Sequence, residues 1–361
     1  MPTFLKSRIW IDFSSPEAVN ENWERLIRTL FGKPLHEKPE LGKPPAYIRE
    51  ETTSPASPAI AKYNALRQAI LQNKKGITTY RQDFLDACIE YADALRVRER
   101  PEIGSFGERV LEDCGKLKHV RNHIVDWVLI ESASSQDQGF DDSLLELLER
   151  LLELKSRPPE LNSWNDSWFD AHEFFAYETF LYIIAALLKT NALLVLHTVF
   201  NSHYLLPETE RYREDLFVRF DRFYGTADSL QLVLAPEGKR LFSPAAELTK
   251  RQADRTDIPF KSILEAELLI LLMALITPDT RWYPQTLYYT RETRQFPLFL
   301  RASQHKHFIK LAIITGIDNA DVLRESAKNG YSRLGIDQWH NFHFIDSFWR
   351  VLNMDKLDTI R

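Results

Sequence analysis

Ser143-Leu-Leu-Glu-Leu-Leu-Glu-Arg-Leu-Leu-Glu-Leu154 is the stretch on which the fold class turns. Leu144, Leu145, Leu147, Leu148, Leu151, Leu152 and Leu154 recur at helical spacing between Glu146, Glu149, Arg150 and Glu153, which makes a wide apolar face that has to pack on something. Comparable patterns run over 59–74, 77–98, 103–131, 141–155, 168–200, 208–224, 258–276, 297–315 and 319–328. They are punctuated by Gly76, Pro101, Gly139, Pro158, Pro207, Pro236 and Pro278. A mainly α protein is expected. From 225 to 257 the pattern weakens: Leu230, Leu232 and Leu234 alternate before Pro236, as in a short strand or an extended loop, and a subdivision of the helical region could fall here. No fixed-period repeat is present.

Two apolar runs bear on a membrane. Phe174 to Phe200 is long enough to span, but Glu178, Lys189, Asn191 and His197 interrupt it, and a buried helix or helical pair accounts for it better. Leu268 to Ile276 is uninterrupted but too short, and reads as core. The 361 residues are 44% hydrophobic and 12% aromatic, enough to fill a substantial core. A net charge of -5 with 27% charged residues describes an ordinary surface and does not favour bulk nucleic-acid binding. Cys88 and Cys114 are too few for a disulfide framework, and the N-terminal residues carry no secretory pattern, so a cytoplasmic location is expected.

The N-terminal end has a different character. In Arg8-Ile9-Trp10-Ile11-Asp12-Phe13, Ile9, Ile11 and Phe13 alternate with Arg8, Trp10 and Asp12, the period of a strand. Ser14 or Ser15 can cap a following helix, with Pro16 and Glu17 in its first turn and a stripe of Val19, Trp23, Leu26, Ile27 and Leu30 ending at Gly32. Between Gly32 and Pro58, six prolines (Pro34, Pro39, Pro44, Pro45, Pro55 and Pro58) argue against helix and central strand alike. The expected organisation is therefore 1–31 as strand plus helix, 32–58 as a proline-rich linker, and 59–361 as a helical domain.

Strand, helix and linker in this order, with Trp23-Glu24-Arg25-Leu26-Ile27-Arg28, Gly32-Lys33-Pro34-Leu35 and Lys38-Pro39-Glu40-Leu41-Gly42-Lys43-Pro44-Pro45, resemble the end of bacterial TIR domains. The resemblance covers about an eighth of the chain. It implies a remnant strand and helix of a flavodoxin-like domain, a linker, and a helical region that senses a trigger or drives assembly. In that family the domain cleaves NAD with a glutamate on a helix preceding the last strand, as an anti-phage defence. No position here corresponds to that glutamate or to the cofactor contacts, so NAD is expected as the substrate of an intact TIR protein, and no cofactor is expected in this chain. Glu17, Glu21 and Glu24 read as a solvated helix face. A lone apolar strand also needs a sheet to join. Either Met1 is an internal methionine of a longer protein, or the first 31 residues dock on the helical part. The expected partners are further copies of the chain and a protein trigger; neither membrane nor nucleic acid is expected.

Other constellations carry candidate chemistry. His119 and His123 stand four apart, one helical turn, where two imidazoles could share a metal with Asp126 as a third ligand; solvated histidines are the commoner case. His172-Glu173 begins like a zinc-protease motif, but position 176 is alanine, and Asp166 or Asp170 reads as a helix cap. Arg301 and His307 have the arginine, five residues, histidine spacing that resembles helical HEPN ribonucleases, where the pair polarises a phosphodiester. Ala302 departs from the polar residue usual there, and the plain alternative is a basic helix start at His305 and Lys306. His340 and His343 belong to an aromatic segment with Trp339, Phe342, Phe344, Phe348 and Trp349 that is expected to pack the last helix. No glycine-rich phosphate loop or nucleophile arrangement is recognisable. A HEPN-like ribonuclease and a non-catalytic interaction scaffold remain the alternatives to a TIR-linked regulatory region.

Overall fold

Helix α6 (Asp170–Thr190) is apolar on all sides and is buried on nearly all of them, from Phe174 to Leu187; only its last residues emerge. Helix α10 (Phe260–Ile276) has the same character and packs directly on α6. A helix without a polar face is stable only as the centre of a bundle, and the other elements supply the shell. The computed structural model describes residues 13–30, 58–100, 106–134, 139–206, 216–237, 239–292, 296–335 and 348–361. By its contacts the chain divides into two units, Met1–Ala56 and Ser57–Arg361.

In the larger unit, α2 (Pro58–Leu71) and α3 (Ile77–Ala94) form a hairpin against α4 (Phe106–Ser134) and α5 (Gly139–Lys155). Helices α4 and α5 lie on α6, and the leucine face of α5 is fully used: Leu144, Leu147, Leu148 and Leu151 are each 0% exposed. The long apolar run is a helical pair. Asn191, in the left-handed region at φ 60°, closes α6, and α7 (Leu193–Asn201) restarts at once; Asn tolerates that conformation better than other residues with a side chain. Helix α7 packs on α12 (His305–Thr315), and α13 (Ala320–Arg333) packs on α10. Asn319 caps α13 by accepting from the amides of Asp321 at 2.8 Å and Val322 at 3.2 Å. The shell is completed by α8 (Gln231–Leu234), α9 (Pro244–Gln252), α11 (Pro297–Arg301) and α14 (Phe348–Val351). The chain is mainly α, and among the described residues the sheet has two strands.

Several local expectations change. A helix was expected over 208–224. Of the described part, Phe217–Val218 forms β2, antiparallel to β1 (Tyr204–Leu205) with Tyr204 opposite Val218, and Phe220–Phe223 is a 3-10 turn. Phe220 and Phe223 are wholly buried, Phe223 stacking on Phe180 with ring centroids 4.6 Å apart, so side-chain anchoring rather than helical period governs this segment. The leucines at 230–234 lie neither in a strand nor in an extended loop: Asp228–Leu230 is a 3-10 turn that runs into α8. Neither Asp166 nor Asp170 caps. Asn165 does, accepting from the Ser167 amide at 3.1 Å, while Asp170 Oδ2 accepts from the Ser229 amide at 2.7 Å and ties down the 228–230 turn.

In the smaller unit α1 (Pro16–Leu30) forms where the stripe placed it, with the Ser15 hydroxyl accepting from the Ala18 amide at 3.2 Å. Trp23 is 55% exposed and Ile27 38%. The expected strand over 8–13 falls, except for Phe13, outside the described residues, as do the 32–57 part of the linker and His340 with His343.

Candidate functional site: a cationic cleft at helix ends

Five helix ends meet around a cleft of about 380 Å³. Helix α6 contributes Lys189 from its last turn, and the turn into α7 contributes Asn191 and Leu193. Asp257, Ile258, Ser262 and Glu265 come from the start of α10; Pro297, Leu298 and Arg301 come from α11, and His307 and Lys310 from α12. The proposed ribonuclease pair, Arg301 and His307, therefore lines one cleft from two helices, with helical structure interrupted between them at 302–304. The break is held from far away. The His305 amide donates to the Ile360 carbonyl at 2.9 Å, and the Ile360 and Asp358 amides donate to the carbonyls of Ser303 at 2.8 Å and Ala302 at 2.9 Å.

The cleft's charged groups are partly fixed. Lys189 Nζ donates to the Asp257 carbonyl at 2.6 Å, Lys310 Nζ to Asn191 Oδ1 at 2.8 Å, and the Leu298 amide to Glu265 Oε1 at 2.6 Å. Burial raises the Glu265 carboxyl above its usual range, against the pull of the Leu298 amide, Lys261 and Arg301. Partial loss of hydration, and then Lys306, Arg301 and Lys310, hold the His307 imidazole below its usual range. Burial disfavours the Asp257 carboxylate, but Arg255 at 2.7 Å more than offsets this and lowers its pKa.

A second cleft, about 390 Å³, has Tyr224, Trp282 and Tyr283 with Arg281 and Arg333 on its walls. Arg333 is committed to structure: it donates to the carbonyls of Ala274 at 2.8 Å, Thr277 at 2.9 Å and Thr280 at 3.0 Å, closing the C-terminal end of α10.

The other sequence candidates have structural surroundings. His123 stacks on Tyr63 with ring centroids 5.7 Å apart, and Asp126, the candidate third ligand, pairs with Arg255 at 2.6 Å. Among the described residues no group of three or more His, Cys, Asp or Glu is arranged to hold a metal, the His119 and His123 pair included. Cys88 and Cys114 are buried free thiols, and burial pushes both well above the thiol range, which makes them poor nucleophiles. Glu173 accepts from the Thr226 amide at 2.7 Å.

The least expected feature is Glu267, 0% exposed. Its Oε1 accepts from the Tyr177 hydroxyl at 2.6 Å and the Gln285 amide at 3.1 Å; its Oε2 accepts from the Thr286 amide at 2.8 Å and from the Thr286 hydroxyl. An acid set directly against the apolar run 268–276 was the available signal, since such a group is buried only where donors await it. Burial raises its pKa and the Thr286 and Tyr177 donors oppose the rise.

His172 carries a pH prediction. It is 2% exposed, its Nε2 lies 2.8 Å from the Ala92 carbonyl and so bears the proton, and burial lowers its pKa from 6.5 to about 4. The unfolded chain therefore binds a proton that the folded chain refuses between those values. The stability owed to neutral His172 is complete above pH 6.5 and falls by about 3 kcal/mol as pH drops to about 4. Asp170, raised to about 6 chiefly by burial, works in the opposite sense over nearly the same window. The expected result is thus a difference between proteins: His172→Gln, which keeps an amide donor for Ala92, should gain on the wild type in urea titrations as pH falls from 6.5 to 4. A parallel pair of pH profiles would contradict it.

Comparisons with protein-family models, with curated proteins and with solved structures give no match to this chain.

Proposed function

We propose that residues 57–361 act as a non-catalytic regulatory and assembly module that controls NAD cleavage by TIR domains, in the setting of anti-phage defence that the N-terminal resemblance implies. The observation carrying this reading is that three sets of buried charged groups in the unit are spent on internal partners. Arg81 meets Glu131 at 2.6 Å, Arg121 meets Glu178 at 2.6 Å, and Glu267 is closed by Tyr177, Gln285 and Thr286. Such groups specify a fold, and none of them lines either cleft. Exposed apolar side chains support assembly with further copies or a protein trigger: Ile309 and Ile313 lie one turn apart on α12 at 46% and 37% exposure, and Leu194 on the neighbouring α7 is 73% exposed. Helix 166–190 has the length and composition to cross a membrane, but most of it is buried within the unit, in keeping with a cytoplasmic module.

Incubated with NAD, the purified chain is expected to release no nicotinamide; turnover would refute the assignment of catalysis to TIR residues outside this sequence. The HEPN-like reading retains one favourable observation, the shared cleft of Arg301 and His307. The same preparation offered single-stranded RNA decides it: cleavage abolished by Arg301→Ala or His307→Ala would replace the regulatory reading with a ribonuclease.

A further inference from the structure

We infer that the cleft between α6, α10, α11 and α12 is a binding site for a small phosphorylated compound with a hydroxyl-bearing body, a mononucleotide or a sugar phosphate. This deepens the regulatory reading by naming the class of ligand sensed. Three long cationic side chains from three helices, Lys189, Arg301 and Lys310, line the same 380 Å³ space, a volume within the range of small-molecule sites. Two are already held. The ammonium of Lys189 is anchored on the Asp257 carbonyl and that of Lys310 on Asn191, and each keeps further N–H donors for a ligand. The Arg301 guanidinium is exposed and makes no hydrogen bond among the described residues, so its planar fork is open to two oxygens of one phosphate.

The surroundings point the same way. Helix α12 opens with His305, Lys306 and His307 and has no acid of its own in its first turn, although Asp358 Oδ1 lies 2.9 Å from His305 Nδ1; α10 likewise has Lys261 and no acid in its first turn. Cations at the positive end of a helix dipole are unfavourable, and an anion seated between the two helix starts reverses the sign. One acid faces this cationic space with a free oxygen: Glu265 gives Oε1 to the Leu298 amide, while Oε2 has no partner among the described residues. A second phosphate would be repelled there, whereas a hydroxyl would be accepted. Leu188, Ile258 and Pro297 add an apolar wall for the face of a sugar or base. The volume holds one nucleotide rather than a strand, and a net charge of -5 does not favour binding a strand through its phosphates.

Isothermal titration of the full chain with AMP, ribose 5-phosphate, inorganic phosphate, adenosine and a single-stranded RNA oligomer tests this. AMP or ribose 5-phosphate should bind, inorganic phosphate at least about tenfold more weakly, and adenosine not measurably. Arg301→Ala and Lys310→Met should each weaken binding about tenfold or more, as expected for a charge-assisted contact, and Glu265→Gln should narrow the gap between ribose 5-phosphate and inorganic phosphate. Both cations are on the surface, so an unchanged melting temperature of the unliganded variants certifies their fold. No binding by any phosphorylated compound, binding indifferent to both substitutions, or preference for the RNA oligomer would each overturn the inference. Nicotinamide release is measured separately, so a chain that cleaves NAD would remove the regulatory reading and leave this binding result standing, and the reverse.

Discussion

Gly330→Ala is expected to destabilise the helical unit by on the order of 3 kcal/mol or more, against the ordinary sign of that substitution. In the middle of a helix alanine is normally better than glycine by about 0.5–1 kcal/mol, and Gly330 lies inside α13 with no backbone strain that would reserve the position for it. The reason is packing. A Cβ built at Gly330 would lie 1.8 Å from the Leu275 carbonyl oxygen and 2.5 Å from its carbon, and both are backbone atoms that no rotamer change can move. Helix α13 would have to back away from the end of α10, breaking the bonds from Arg333 to the carbonyls of Ala274, Thr277 and Thr280. Urea unfolding of the two proteins gives the answer directly. A variant as stable as the parent, or more stable, would mean that the two helices do not approach this closely.

How much of this was readable in advance depends on where the determining contact lies. The α5 face and the core character of α10 were legible because their signal is local: the leucines of 144–154 repeat with the helix, and 268–276 holds only apolar residues. Gly330 was not legible, since a single glycine in a polar helix says nothing about a carbonyl 55 positions earlier. The 297–315 run reads as one helix because 302–304 contain no breaker; the division is imposed by residues 358–360, which bond across the gap. That remote division is also what puts Arg301 and His307 on separate helices of the cleft. Their spacing was visible as a motif, but Lys189, Glu265 and Lys310 come from distant segments with no pattern in common. Alternation at Leu230 and Leu234 imitates a strand because both side chains are buried by tertiary contacts around a turn.

The buried pair of Arg121 and Glu178 gives the second large effect, and its pH dependence separates its two halves. Arg121 is 0% exposed, meets Glu178 Oε2 at 2.6 Å, and lies 4.1 Å over the Tyr182 ring. Removing either partner strands a charge in the core and should cost about 3–5 kcal/mol at pH 7. Glu178→Leu leaves a guanidinium that cannot lose its proton, so its penalty should hardly vary with pH. Arg121→Met leaves a carboxyl that can be neutralised. Burial already raises the Glu178 pKa with Arg121 opposing it, and without the arginine the rise is larger. A carboxyl whose folded pKa lies above its unfolded value loses stability as pH rises through the folded pKa. The Arg121→Met protein should therefore be close to the wild type in mildly acid solution and fall away from it toward neutrality. Combining Arg121→Met with Glu178→Leu removes both charges while keeping apolar bulk, and should recover most of either loss. Equal pH profiles for the two single variants, or additive losses in the double, would show that the pair is hydrated and contributes as a surface bridge does, below about 1 kcal/mol.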